Sequence, residues 1–103
     1  AATGRPSLLY VTADWCVTCA VIDRSVLPND DVRARLARFN LVKLDVSGNT
    51  PSQRDAMQSL NVVGPPTMIF IDPQGRELAG TRLIGDVTPS SLVASAERAG
   101  AAQ

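Results

Sequence analysis

The chain has 103 residues, 45% of them hydrophobic and 19% charged, which suits one small globular core and is too short for two ordinary domains. Ten Lys and Arg balance ten Asp and Glu, so there is no basic block to neutralise nucleic-acid phosphates or hold acidic lipid headgroups. Two cysteines and no histidine allow at most one internal disulfide, which leaves stability resting mainly on buried apolar surface. No apolar run approaches the length of a membrane span. The opening Ala-Ala-Thr-Gly carries neither an initiator methionine nor a charged, apolar leader, and reads as the start of a processed or excised piece.

Residues 8–13, Leu-Leu-Tyr-Val-Thr-Ala, form a short, partly β-branched run that predicts a buried strand. Over residues 16–26 the apolar positions Cys19, Ile22 and Val26 recur at helical spacing, until Pro28 forbids continuation. Asn29 is placed to cap a second helix, with Asp30 and Asp31 in its first turn and Val32, Leu36 and Phe39 on one face. Residues 41–46 predict a second strand, and Thr50-Pro51 the cap and first position of a helix carrying Ala56, Met57 and Leu60. After Gly64-Pro65-Pro66 the pattern predicts a hairpin: a strand over 67–71, a turn at Asp72-Pro73-Gln74-Gly75, and a partner strand over 76–83. Thr88-Pro89 opens a last helix with Leu92, Val93 and Ala96 inward, ending near Gly100 ahead of a frayed tail. Strands alternating with helices, then a hairpin and a helix, predict a single α/β domain over 1–103, with an ordered core of about 8–99 and a central mixed sheet flanked by helices.

Both cysteines fall where the first strand hands over to the first helix, in Asp14-Trp15-Cys16-Val17-Thr18-Cys19. A thiol reacts as its thiolate, and at an ordinary pKa near 8.5 only roughly 3% is ionised at about pH 7. The unpaired N–H groups of a helix start favour the anion, which makes Cys16 the candidate nucleophile. Cys19 lies nearly one turn further on, toward the inner side and within reach of a disulfide, and so suits a resolving thiol. Two other readings stand beside this one. A zinc site normally takes four ligands and would need carboxylates to supply half of them, and two inert core cysteines have no reason to occupy a strand-to-helix junction.

Three separate stretches then resemble the thioredoxin-fold family: the Asp-Trp-Cys-x-x-Cys motif at Asp14 to Cys19, the lysine-bearing strand Val42-Lys43-Leu44-Asp45, and the loop Val62-Val63-Gly64-Pro65-Pro66-Thr67. Within that family the chain looks like the C-terminal periplasmic domains of DsbD-type thiol:disulfide interchange proteins. The resemblance implies a monomeric domain excised from a larger inner-membrane protein. It also implies a protein-disulfide reductase that relays electrons from a transmembrane domain to an N-terminal periplasmic domain, without cofactor or metal. A free-standing periplasmic thioredoxin-like reductase or oxidant, and a redox-inactive peptide-binding module, are the alternatives.

The same resemblance implies roles for further residues. Pro66 matches the family's cis-proline, whose loop faces the dithiol and docks partner segments, and Trp15 borders the reactive sulfur. Asp23 matches an acidic residue near the active site, where a carboxylate opposes thiolate formation. The chain also departs from the family. Tyr10 stands where a buried aspartate is usual, which leaves Lys43 without its usual partner, and Pro65 has no N–H to donate to a docked peptide.

Overall fold

The computed structural model describes residues 4–101. In chain order these form β1 (Ser7–Thr12), α1 (Val17–Val21) running into a π-helical turn (Ile22–Val26), α2 (Asp30–Leu36), β2 (Asn40–Asp45), α3 (Pro51–Ser59), β3 (Thr67–Ile71), β4 (Leu83–Ile84) and α4 (Pro89–Ala101). The sheet order is β2-β1-β3-β4. β1 pairs in parallel with β2, from Ser7 opposite Asn40 to Thr12 opposite Asp45, and antiparallel with β3, from Ser7 opposite Ile71 to Val11 opposite Thr67. β4 adds antiparallel to the start of β3, completing the mixed sheet.

Helix starts follow local chemistry. Asn29 Oδ1 accepts the N–H groups of Asp31 and Val32 at 2.9 and 3.2 Å. Thr50 and Gln53 exchange hydrogen bonds as a capping box with Pro51 in the first turn. Thr88 and Ser91 do the same ahead of α4. The first helix departs from its expected form: it stays α-helical only to Val21, then widens so that Leu27 N–H bonds Ile22 O at 2.9 Å, a five-residue rung formed just before Pro28 stops the chain. Cys19, Ile22 and Val26 all remain buried.

The core lies on the sheet faces. Leu8, Tyr10 and Val11 of β1 and Met68, Ile69 and Phe70 of β3 are essentially sealed, and Phe39 meets Phe70 edge-on with ring centres 5.2 Å apart. Leu92, Ser95, Ala96 and Ala99 form the inner face of α4, which packs against α2.

The partner strand expected over 76–83 is a correction. Only an isolated bridge between Ile71 and Glu77 and the two residues Leu83 and Ile84 pair with β3. After Leu78 N–H bonds Phe70 O, the chain leaves the sheet through Gly80, whose φ of +75° is open to glycine, and Arg82 reaches away to the end of α3 before pairing resumes. α4 is helical through Gly100 to Ala101, and the rest of the expected frayed tail lies outside the described residues.

Candidate functional site

β1 ends at the edge of the core, and the turn that follows is tied by Cys16 N–H to Ala13 O at 3.2 Å. Cys16 is the N-cap of α1: its backbone is extended and its Sγ accepts the Cys19 N–H at 3.1 Å. Cys16 and Cys19 are joined by a disulfide with Cα atoms 5.2 Å apart. Both cysteines are buried, Cys16 with 7% of its residue surface exposed and Cys19 with 1%, so Cys16 is the less covered of the two at the helix start. Among the described residues, no group of three or more Cys, Asp or Glu is placed to hold a metal ion.

The turn is held from the β2–α3 loop by Ser47, a residue the sequence reading passed over. Ser47 Oγ accepts the Asp14 N–H at 2.7 Å and donates to Asp45 Oδ1 in a short hydrogen bond. The Asp45 carboxylate also accepts the Ser47 N–H at 2.9 Å. These bonds, the hydroxyl's first, hold the Asp45 carboxyl below its ordinary value. The Ser47 carbonyl accepts the Trp15 indole N–H at 3.1 Å, so Trp15 is anchored by its polar tip while 58% of it stays exposed. Asp45-x-Ser47, just past a strand, carries a local sign of this loop as an Asx-type turn. Its contacts across 32 and 33 residues carry none.

Behind the cysteine helix the surroundings turn polar. Thr12, Ala13, Asp14, Asp23, Lys43 and Asp45 line an open cleft of about 340 Å³. Asp23 and Lys43 are exposed there, so Lys43 places its charge among carboxylates at the solvent boundary. Tyr10 is sealed beneath, and its hydroxyl donates to the Cys19 carbonyl at 3.3 Å. Burial pushes the Tyr10 phenol above its ordinary value, the Thr12 hydroxyl works the other way, and the nearby Asp23 carboxylate adds to the rise. A larger cavity of about 390 Å³ between α2 and α4, lined by Arg35, Arg38 and Glu97 among others, includes neither cysteine.

On the far side of the disulfide turn, the register of β1 with β3 sets Thr67 opposite Val11, so Pro66 arrives at the sheet end from which Cys16 departs. Pro66 is buried and the Pro65–Pro66 peptide bond is cis. Gly85 N–H bonds Pro66 O at 3.0 Å, and Thr67 Oγ1 donates to Gly64 O at 2.8 Å. At this end of the sheet, large apolar side chains stand in solvent: Trp15, Val17, Val63 and Ile84. The fold therefore gathers Trp15, Cys16, Cys19 and Pro66 at one sheet end and puts Asp23 in the cleft behind.

A profile for the thioredoxin-like domain matches residues 1–100. Among curated proteins, the chain is 38% identical over 100 residues to the thiol:disulfide interchange protein DsbD 1 of Pseudomonas aeruginosa, a match covering 97% of this chain and 17% of that one. It is 39% identical over 98 residues to DsbD of Ralstonia nicotianae, covering 95% of this chain and 16% of that protein. The chain thus spans about a sixth of the length of these curated relatives. Its backbone is similar to the reduced form of the Neisseria meningitidis DsbD C-terminal domain, with a TM-score of 0.80 over 91% of this chain and 80% of that one. At the 22% identity of that pair, the likeness is one of fold.

Proposed function

This chain belongs to the thioredoxin-like domain family, and from that premise we propose that it is a thiol–disulfide exchange domain of the DsbD kind, with Cys16 as nucleophile and Cys19 as resolving thiol. The observation that carries this reading is the bridged pair at a helix start, with Cys16 the less covered residue and Cys19 sealed. In the reduced domain, the Cys16 thiolate attacks a partner disulfide. A bond forms from Cys16 Sγ to one partner sulfur, the partner's own S–S bond breaks, and the other partner sulfur leaves as a thiolate that takes up a proton. Cys19 then gives up its proton and attacks Cys16 Sγ, closing the intrachain disulfide and releasing the partner's second thiol. Two electrons pass to the partner, and the domain is left in the bridged form. A donor dithiol resets it by attacking Cys16 Sγ, on the less covered residue of the bridge.

In this reading the chain is one domain of a larger inner-membrane protein, lies on the periplasmic side, takes electrons from a transmembrane domain and passes them to an N-terminal periplasmic domain. Its identity to DsbD proteins several times its length supports that placement. The apolar rim of Trp15, Val17 and Val63 supports contact with a protein partner, because such surface is cheap to dehydrate. Pro66 borders the docking surface, and Asp23, through its proximity to Tyr10 and hence to the Cys19 backbone, is the acidic modulator of the pair.

The test is insulin reduction by the reduced domain. Cys16→Ser is expected to abolish turnover, and Cys19→Ser to accumulate a mixed disulfide with the insulin chain. Turnover surviving Cys16→Ser overturns the assigned roles, and a parent protein that never cycles between bridged and open forms overturns the exchange reading itself.

A further inference from the structure

Arg82 touches neither sulfur, yet all its hydrogen bonds converge on one junction. Nε and Nη2 hold the two carboxylate oxygens of Glu77 at 2.9 and 2.7 Å, while Nη1 and Nη2 donate to the carbonyls of Asn61 and Leu60 at 3.1 and 2.8 Å. Those carbonyls end α3: Leu60 is its C-cap, and Asn61 turns the chain with φ at 56°. Asn61 N–H returns to Gln58 O at 3.1 Å and Val62 N–H to Met57 O at 2.8 Å, the double bond pattern of a Schellman end. The guanidinium caps the carbonyls that this pattern leaves pointing outward.

The loop that begins there is the one carrying Pro65 and Pro66. Its first residue, Val62, is buried, and its far end is fixed by Gly85 N–H on Pro66 O at 3.0 Å. Within it Val63 is fully exposed, and the bond that reaches the middle, Thr67 Oγ1 to Gly64 O at 2.8 Å, comes from the residue just past the loop's far end. The middle is therefore placed by its two ends. Arg82 serves both, because it grips the last residues before the loop and immediately precedes β4, whose continuation at Gly85 grips the last residue of the loop. The Arg82 side chain is only 20% exposed, and a planar fork can meet a carboxylate and two carbonyls together where a lysine ammonium cannot.

We infer that Arg82, held by Glu77, is a positioning residue that sets the Val62–Pro66 loop against Cys16 and so governs docking of protein disulfides without acting on the sulfurs themselves. The inference rests on the exchange reading above. It calls for two substrates, one that must dock on the loop and one too small to need it: insulin and oxidised glutathione.

Second-order rates of the reduced full chain are compared for the parent, Arg82→Lys, Arg82→Gln, Glu77→Gln and, as a surface control, Arg76→Gln, with melting by circular dichroism showing which variants are folded at the assay temperature. Both Arg82 variants are expected to lose about ten-fold against insulin while staying within about twofold against glutathione, as loss of charge-assisted bonds at the loop alone implies. Glu77→Gln should lose less, because the carbonyl bonds remain, and Arg76→Gln should lose nothing. Should Arg82→Gln not fold, Arg82→Lys carries the test. Equal losses on both substrates, or an undiminished insulin rate, overturn the inference. A parent protein that leaves insulin untouched marks instead the failure of the exchange reading, and takes the inference with it.

Discussion

The helix that starts at Cys16 stands between two regions of opposite chemistry. In front, Trp15 and Val17, the chain neighbours of Cys16, and Val63 of the Pro66 loop expose apolar surface; behind, Asp14, Asp23, Lys43 and Asp45 line an open cleft near the sealed Tyr10. Apolar surface sheds water at little cost when a partner docks, whereas four charged side chains hold their solvent. The same disulfide can thus be covered from one side and remain hydrated on the other. The two regions also differ in what holds them. Ser47 joins the two regions, holding Trp15 on one side and Asp14 and Asp45 on the other, whereas Tyr10 supports the cysteine helix from within through the Cys19 carbonyl.

The harshest way to break this contrast is to remove the support beneath the cysteine helix. Tyr10→Ala empties the largest fully buried side-chain site and is expected to cost about 3–5 kcal/mol of stability in chemical denaturation, with loss of the ordered cysteine turn. Val63→Asp attacks the front alone. Because Val63 is fully exposed, stability should stay within about 0.5 kcal/mol while the insulin rate falls about five-fold, and an unchanged rate removes the apolar rim from docking.

Ser47→Ala sharpens the contrast by loosening the latch between the two regions without changing the apolar surface. Loss of the hydrogen bond to the Asp14 amide should cost about 1 kcal/mol and alter the emission of Trp15, the only tryptophan. The same latch is sensitive to acid. Since the Asp45 carboxyl is held below its ordinary 3.8, its contribution is complete above that value and is lost as pH falls below it. Trp15 emission in the parent should therefore shift on acidification below about 3.8 and remain flat across neutral pH.

The smallest effect belongs to the back. Tyr10 is the only tyrosine, so phenolate absorbance reads it directly. A phenol raised in the folded state adds stability that is complete below its ordinary value of 10.0 and is lost as pH climbs through the raised value. Asp23→Asn removes the carboxylate charge that adds to the effect of burial, so the Tyr10 titration should move toward lower pH and the alkaline loss of stability should shrink. An unmoved titration separates Asp23 from Tyr10.

The parts of this arrangement that rest on neighbours in sequence could be read from it. Asn29 before Asp30 and Asp31, and Thr50-Pro51 with Gln53, mark helix starts because a cap acts within three or four residues. The hand-over from an apolar run to Cys16 marks the site for the same reason. What stayed hidden depends on distance. The Arg82 contacts span 21 and 22 residues, and they help explain why residues 76–83, alternating enough to look like a strand, pair with β3 only at their ends. Ser47 offered only a turn signal, and the bond from Tyr10 to the Cys19 carbonyl none. Leu41 and Val42 look like core residues in a run of apolar letters, but lie nearly half exposed because β2 is the edge of the sheet.

The central claim is that the two sulfurs are unequal, the outer one meeting partners and the inner one acting only on it. Brief alkylation of the freshly reduced protein with limiting iodoacetamide, mapped by mass spectrometry, tests this most directly. Label on Cys16, with Cys19 modified only after unfolding, is the expected result; label appearing on Cys19 first, or on both at one rate, contradicts the account.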